Sequence, residues 1–190
     1  WSAASDVYKC QCLICGFGAF RFARHAAVKS VLAEAGNEAG YTVLEEQVVS
    51  DFCVTLVGED GAPKVQEARL DIELFLHPVA PDRLLDGTVR HPTAAAHRKN
   101  AAAQIGATAR AGVADKARRY PPRGGRHVLC CAAETFGYID VAFDCLLDEL
   151  AVLAASRQRN RGVKPTRWKE RWRTSLSIRL TCSVATAILR

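Results

Sequence analysis

Two aspartates stand where buried strands ordinarily carry Val or Leu. Asp71 lies in the apolar run Leu70–Leu76 and Asp86 in the run Leu84–Val89, with fourteen residues between them. His77-Pro78 and Pro81-Asp82 mark a turn in the middle of that interval. A hairpin of this length brings both carboxylates to one edge of a sheet. Carboxylates facing one point repel each other unless a cation lies between them, so the chemistry implied is that of a divalent-metal site. The two-residue period of a strand puts Leu84, Asp86 and Thr88 on one face and Leu85, Gly87 and Val89 on the other. Gly87 weakens such a strand, and nothing in the sequence accounts for it.

Other reactive groups cluster on both sides of this pair. Tyr41–Val49 is rich in β-branched residues and reads as a strand. Its neighbours Glu45 and Glu46 are expected on opposite faces, so one of them shares the side of Asp71 and Asp86. They are otherwise ordinary surface carboxylates. Downstream, Val113, Lys116 and Tyr120 share a helical face. Lys116 is then either a charge partner for the carboxylates or a lysine facing solvent. Near the start, Cys12-x-x-Cys15 followed by Gly16, with Cys10 and His25, offers four ligands to a structural zinc. The spacing is not that of a standard finger, and buried free thiols are the alternative. His25 has two readings, zinc ligand or active-site neighbour, and the sequence does not choose between them.

The elements that must position these groups follow in order. A helix runs from about Phe22 to Gly36 or Gly40, with Phe22, Val28, Val31, Leu32 and Ala35 near one face. After the Tyr41–Val49 strand come an extended stretch over Asp51–Val57, a turn at Gly58-Glu59-Asp60-Gly61, and the two aspartate-bearing strands. The alanine-rich segment after Pro92 reads as one long or two short helices, interrupted by Gly106 and Gly112 and ending at Tyr120-Pro121-Pro122. His127–Ala133 is a buried strand. Ile139, Phe143, Leu146, Leu147, Leu150 and Leu153 mark an amphipathic helix that covers the sheet. A last helix opens at Pro165, with a stripe of Trp168, Trp172, Leu176, Leu180, Val184 and Ile188 suited to docking on the body of the protein.

Composition limits the class. With 190 residues, 49% hydrophobic and 24% charged, the chain is globular and has room for one ordinary domain with an appendage. No uncharged apolar run approaches a membrane span, the opening residues are not a signal peptide, and the cysteine placement is not a disulfide framework. A non-secreted, intracellular protein with no membrane partner is expected. The absence of Met and the start at Trp1 lead us to expect a piece of a longer product. The net charge is +6. Eight cations, Arg157, Arg159, Arg161, Lys164, Arg167, Lys169, Arg171 and Arg173, fall within seventeen residues against Glu170 alone. That run predicts a polyanionic partner, nucleic acid before acidic membrane.

Helix, strand with Glu, strand with Asp, strand with Asp, helix with Lys, strand: this order resembles the PD-(D/E)XK, or restriction-endonuclease-like, superfamily. The resemblance implies an α/β fold, a mixed sheet flanked by helices with an α-β-β-β-α-β core. It makes Asp71 and Asp86 the ligands of Mg2+ or Mn2+, with Leu70-Asp71 where the family more often has Pro-Asp. Thr88 stands at the place of the usual lysine, and Lys116 would be its displaced counterpart. The order Cys10/Cys12/Cys15, Arg24-His25-Ala26, then Leu70-Asp71 and Asp86 is similar, more narrowly, to the endonuclease region of non-LTR retrotransposon proteins. The Leu84–Pro92, Lys116–Tyr120 and Glu134-Thr135-Phe136-Gly137 segments resemble the same region.

The expected organisation is a zinc knuckle at 1–25, a nuclease domain at 26–155, and a basic linker with a C-terminal helix at 156–190. The expected function is nicking of target DNA, with RNA a further ligand, in the nucleus, beside an upstream reverse transcriptase of the same polyprotein. Glu45 or Glu46 would add a metal ligand or position water. Thr88 would bond a carboxylate or the phosphate, Tyr120 would support Lys116, and the eight tail cations would hold the DNA backbone. The incomplete knuckle, Ala26 in place of Asn, and Gly87 depart from the family pattern. They leave the alternative of a catalytically decayed module that keeps the fold and binds nucleic acid.

Overall fold

The computed structural model describes residues 19–57, 61–157 and 162–189. Cys10, Cys12 and Cys15, the Gly58-Glu59-Asp60 part of the expected turn, and Arg159 and Arg161 lie outside the described residues. The elements are α1 (Ala19–Ala39), β1 (Thr42–Val48), a 3-10 turn (Ser50–Phe52), β2 (Val54–Val57), β3 (Pro63–Gln66), β4 (Arg69–Leu76), β5 (Ala80–Arg90), α2 (Arg98–Ala103), α3 (Ala107–Arg119), β6 (Val128–Glu134), α4 (Val141–Ser156) and α5 (Pro165–Leu189). They form a mixed α/β structure. The main sheet has the order β1-β4-β5-β6, antiparallel except for the parallel pair β5-β6, and β2-β3 is a separate hairpin.

Strand alternation divides the sheet into two buried faces. Ile72, Leu74, Leu85, Cys131 and Ala133 point into the main core, where α1, α4 and α5 supply Val28, Val31, Leu32, Phe143, Leu147, Leu150, Trp168, Leu176 and Leu180. Each fully buried Leu or Ile there contributes about 1.5–3 kcal/mol. The opposite face is narrower. Cys130 and Ala132 meet Ala109 and the half-buried Val113 of α3, and Leu84 clusters with Tyr120. Leu70 joins that cluster too, a departure from the alternation that sends Ile72 and Leu74 to the main core.

Helix α1 ends at Gly40, whose φ of 93° suits a residue without Cβ, while the Tyr41 N–H bonds the Gly36 carbonyl at 2.9 Å. Gly36 lies inside the helix and is not a stop. A Cβ there would meet Leu74 Cδ2 at 2.8 Å, so its role is to let α1 lie close on β4. The turn between the aspartate strands is shorter than expected. Pro81 and Asp82 belong to β5, and the turn occupies residues 77–79. The alanine-rich segment resolves into α2 and α3, separated at Gly106 with φ 73°.

Two expected boundaries fall elsewhere. The division at residue 25 cuts through α1, because the helix carrying the core residues Val28, Val31 and Leu32 already begins at Ala19. The C-terminal helix is no appendage either, since Trp168, Leu176 and Leu180 are at most 1% exposed within the main core. Among the described residues no helix is long and apolar enough to cross a membrane.

Candidate metal centre

The β4–β5 ladder stops at Ile72 opposite Leu85. Beyond that point β4 stays paired with β1 through Leu70–Gln47 and Arg69–Val48, while β5 stays paired with β6 as far as Arg90–Glu134. The residues one step past the last rung are Asp71 and Asp86. In place of a rung, the Gly87 N–H donates to Asp71 Oδ2 at 2.6 Å. The split at the end of the sheet lets side chains from both faces reach one point. His25 comes from α1 on one side, with Nε2 3.0 Å from Asp71 Oδ2. Lys116 comes from α3 on the other, its Nζ donating to Asp86 Oδ2 at 2.6 Å.

One donor atom from each of His25, Asp71 and Asp86 lies within 4.8 Å of the others. Two carboxylate oxygens and one imidazole nitrogen are a donor set that suits a divalent cation, so the residues present can hold a metal ion. The electrostatics agree with that fit. Burial lifts the Asp86 carboxyl to about 6 against the opposing pull of Lys116, and the negative charge of Asp71 adds to the rise. Burial acts upward on Asp71 too, but the hydrogen bond from His25, helped by the Gly87 N–H, holds that carboxyl below its usual range. His25 is raised by its hydrogen bond to Asp71, which outweighs burial. One acid in the pair is therefore easily ionised and the other resists ionisation, as expected of two carboxylates sharing a small space.

The strand glycine has its explanation here. A Cβ on Gly87 would stand 3.2 Å from Val28 Cγ1 and 3.3 Å from Asp71 Oδ2. Val28 is fully buried and Asp71 is tied to both Gly87 and His25, so neither yields readily. The bare backbone lets α1 and the Asp71 carboxylate approach β5 together. The sequence signal was only that the glycine was out of place.

Helix α3 is positioned by two residues whose role the sequence does not reveal. Glu134, buried at the end of β6, accepts the N–H groups of Thr108 and Ala109 at 3.2 Å each, and the Thr108 hydroxyl donates to it as well. Its carboxylate satisfies the first turn of a helix that has no Ser, Thr, Asp or Asn immediately before it. The visible clue was that uncapped start. Gly112, one turn before Lys116, faces Thr88. A Cβ at Gly112 would stand 2.8 Å from Thr88 Cγ2, so the glycine sets how close α3 comes to the sheet and hence whether Lys116 reaches Asp86.

The remaining expected site residues fall in three groups. Tyr120 is buried beneath the lysine, its ring centroid 5.8 Å from Lys116 Nζ, and burial raises its hydroxyl, with the Asp86 charge adding to the effect. Thr88 shares the Asp86 face, with its methyl on α3.

Glu45 and Glu46 are displaced from the expectation. The positive φ of 56° at Glu46 breaks the simple alternation of β1, and both carboxylates pair with Lys29, at 3.2 and 2.8 Å. Lys29 stands one turn beyond His25 on α1, so neither acid belongs to the His25–Asp71–Asp86 group.

Four of the six described tail cations are engaged within the protein. Arg157 donates to the Ala39 and Gly40 carbonyls, Lys169 pairs with Asp144 and Asp148, Arg171 with Glu38, and Arg173 with Asp144 and Glu170. Lys164 and Arg167 are exposed. His25, weighed as a zinc ligand, is instead bonded to Asp71, while the three cysteines lie outside the described residues.

No protein-family model, curated protein or solved structure matches the chain.

Proposed function

We propose that the chain is a metal-dependent DNA endonuclease domain of the restriction-endonuclease-like kind, from a retrotransposon-type polyprotein. The observation that carries this reading is the meeting of His25, Asp71 and Asp86 within 4.8 Å, with Lys116 bonded to Asp86 at 2.6 Å. His25, Asp71 and Asp86 would hold Mg2+ or Mn2+, which when bound supplies Lewis-acid charge to the scissile phosphate and the attacking water. The Gly87 N–H and its bond to Asp71 fix the orientation of that carboxylate. Lys116 is anchored by Asp86 and has a partly exposed side chain, its ammonium suited to stabilising negative charge that develops on the phosphoryl oxygens. Tyr120 packs under the lysine and limits its freedom. We assign no catalytic role to Glu45 or Glu46.

Supercoiled plasmid incubated with the protein and Mg2+ or Mn2+ is expected to become open-circular. Asp71→Asn and Asp86→Asn should each abolish the conversion. Equal nicking by wild type and both variants overturns the assignment.

One observation favours a second reading. Lys116 and, when protonated, His25 balance the two carboxylates without any metal. A module that keeps the fold but does not cut would show DNA binding with no metal requirement and no nicking under the same conditions.

A further inference from the structure

Among the described cations of the C-terminal run, Lys169, Arg171 and Arg173 are paired with acids, Arg157 bonds backbone carbonyls, and Lys164 and Arg167 are exposed. A different segment carries charge that the fold compensates only in part. Residues 97–127 contain eight Arg and Lys, namely Arg98, Lys99, Arg110, Lys116, Arg118, Arg119, Arg123 and Arg126, against the single acid Asp115 within the segment. Acids outside it pair Lys116, with Asp86, and Arg126, with Asp51 and Glu73. Asp115 is shared between Arg90 and Arg118, one carboxylate for two guanidinium groups. Arg98, Lys99, Arg118, Arg119 and Arg123 are exposed. The Arg110 and Arg123 guanidinium groups bond backbone carbonyls, which leaves their charge intact.

Helix α3 lies on β5 and β6 with one face, where Ala109 and Gly112 are buried. Its outward side offers Ala114, Ala117 and Arg118, and α2 continues with exposed Ala102 and Lys99 beside Arg98. Alanine between long cations is a surface that a phosphate backbone can approach closely. It ends at the candidate centre, since Arg119 lies 5.1 Å from the Tyr120 ring that also packs against Lys116.

We propose that the α2–α3 face, and not the C-terminal helix, is where the backbone of double-stranded DNA docks beside the His25–Asp71–Asp86 centre. The choice of DNA rests on the nuclease reading above. The docking face itself rests on the charge and exposure of residues 97–127. Contacts of this kind hold phosphates without reading base sequence, and each releases counterions, so binding weakens with salt.

The test is fluorescence anisotropy of a labelled duplex over a salt series, in EDTA so that cleavage plays no part. The triple variant Arg98→Ala/Lys99→Ala/Arg118→Ala should bind about tenfold or more weakly, with the slope of log K against log salt reduced by roughly 0.9 for each phosphate that is no longer neutralised. Its circular dichroism spectrum should match wild type, because all three side chains are exposed. Lys164→Ala/Arg167→Ala should bind like wild type. Unchanged affinity in the triple variant, an equal loss in the tail variant, or a duplex RNA that competes as well as DNA overturns the proposal. DNA binding through α2–α3 without any metal-dependent nicking leaves this face standing and removes the nuclease reading. Nicking by a triple variant whose affinity is unchanged does the reverse.

Discussion

Asp86 is nearly enclosed, its side chain 3% exposed, with the Lys116 ammonium as its one ion-pair partner among the described residues. If Lys116 stabilises charge in the transition state, Lys116→Met should lower the nicking rate by about 10²–10³-fold, the range seen when one preorganised donor is removed. Metal affinity by calorimetry should not fall with it, because the lysine competes for Asp86 and donates nothing to a cation. Wild-type rates from Lys116→Met would remove the lysine from the mechanism. His91 offers a second test, of stability. Its ring is buried with Nδ1 2.6 Å from Thr135 Oγ1 and Nε2 2.8 Å from Thr93 Oγ1, and burial, with the Arg24 charge, lowers its pKa. The unfolded chain therefore takes up a proton before the folded one. The stability that depends on neutral His91 is complete above the unfolded value, near 6.5, and declines as pH falls from there toward the lower folded value. Urea unfolding of wild type and His91→Gln at pH 8 and pH 5 should show the wild-type advantage shrinking at the lower pH. A constant difference would contradict the shift.

At the scale of elements, the site depends on how near three pieces of backbone come to one another. Gly36 admits β4 to α1, Gly87 admits α1 and Asp71 to β5, and Gly112 admits β5 to α3. The last is the easiest to test, because two effects oppose each other. Ala in a helix is favoured over Gly by about 0.8–1.0 kcal/mol. Yet a methyl at Gly112 stands 2.8 Å from the Thr88 methyl, and the short, β-branched Thr side chain has little room to yield. Gly112→Ala should therefore be destabilising by itself and stabilising in a Thr88→Ala background, a sign change readable by thermal melting of the four members of the cycle. Two additive effects of fixed sign would show that α3 does not sit against Thr88 as described.

Over the whole molecule, the core is closed by the last helix. Trp168 is 1% exposed, its Nε1 donates to Glu38 at 3.0 Å, and Arg179 reaches Glu34 with bonds of 2.7 Å further along the same pair of helices. Trp168→Ala should cost about 3–5 kcal/mol and shift the urea transition of the entire chain, because the vacated volume belongs to the common core. A variant that melts like wild type, with only a local change in fluorescence, would mean that α5 is an appendage after all. The charge distribution follows from this packing. Lys169, Arg171, Arg173 and Arg179 of α5 face acids on α1 and α4, whereas exposed Arg98, Lys99 and Arg119 of α2 and α3 meet no comparable set of acids among the described residues.

Hydrophobic periodicity, with the alanine bias after Pro92, located most of the helices and strands, though not β3. It located the two aspartates on adjacent strands, placed Lys116 and Tyr120 on one helical face, and marked the Trp168–Leu180 stripe as a docking surface. These are local properties, set by spacings of two residues or of three to four. The tertiary structure decided what such spacings do not contain. The end of the β4–β5 ladder at Ile72–Leu85 determines that Asp71 and Asp86 meet. The path of α1 across the sheet brings His25 to Asp71, while the turned backbone at Glu46 sends both glutamates to Lys29. Glu134 and Gly112, far apart in the chain, fix the helix that delivers Lys116. Gly87 shows the difference most plainly. As a sequence position it is a weak point in a strand. As a place in space it is the gap through which Val28 and the Asp71 carboxylate both reach the same strand.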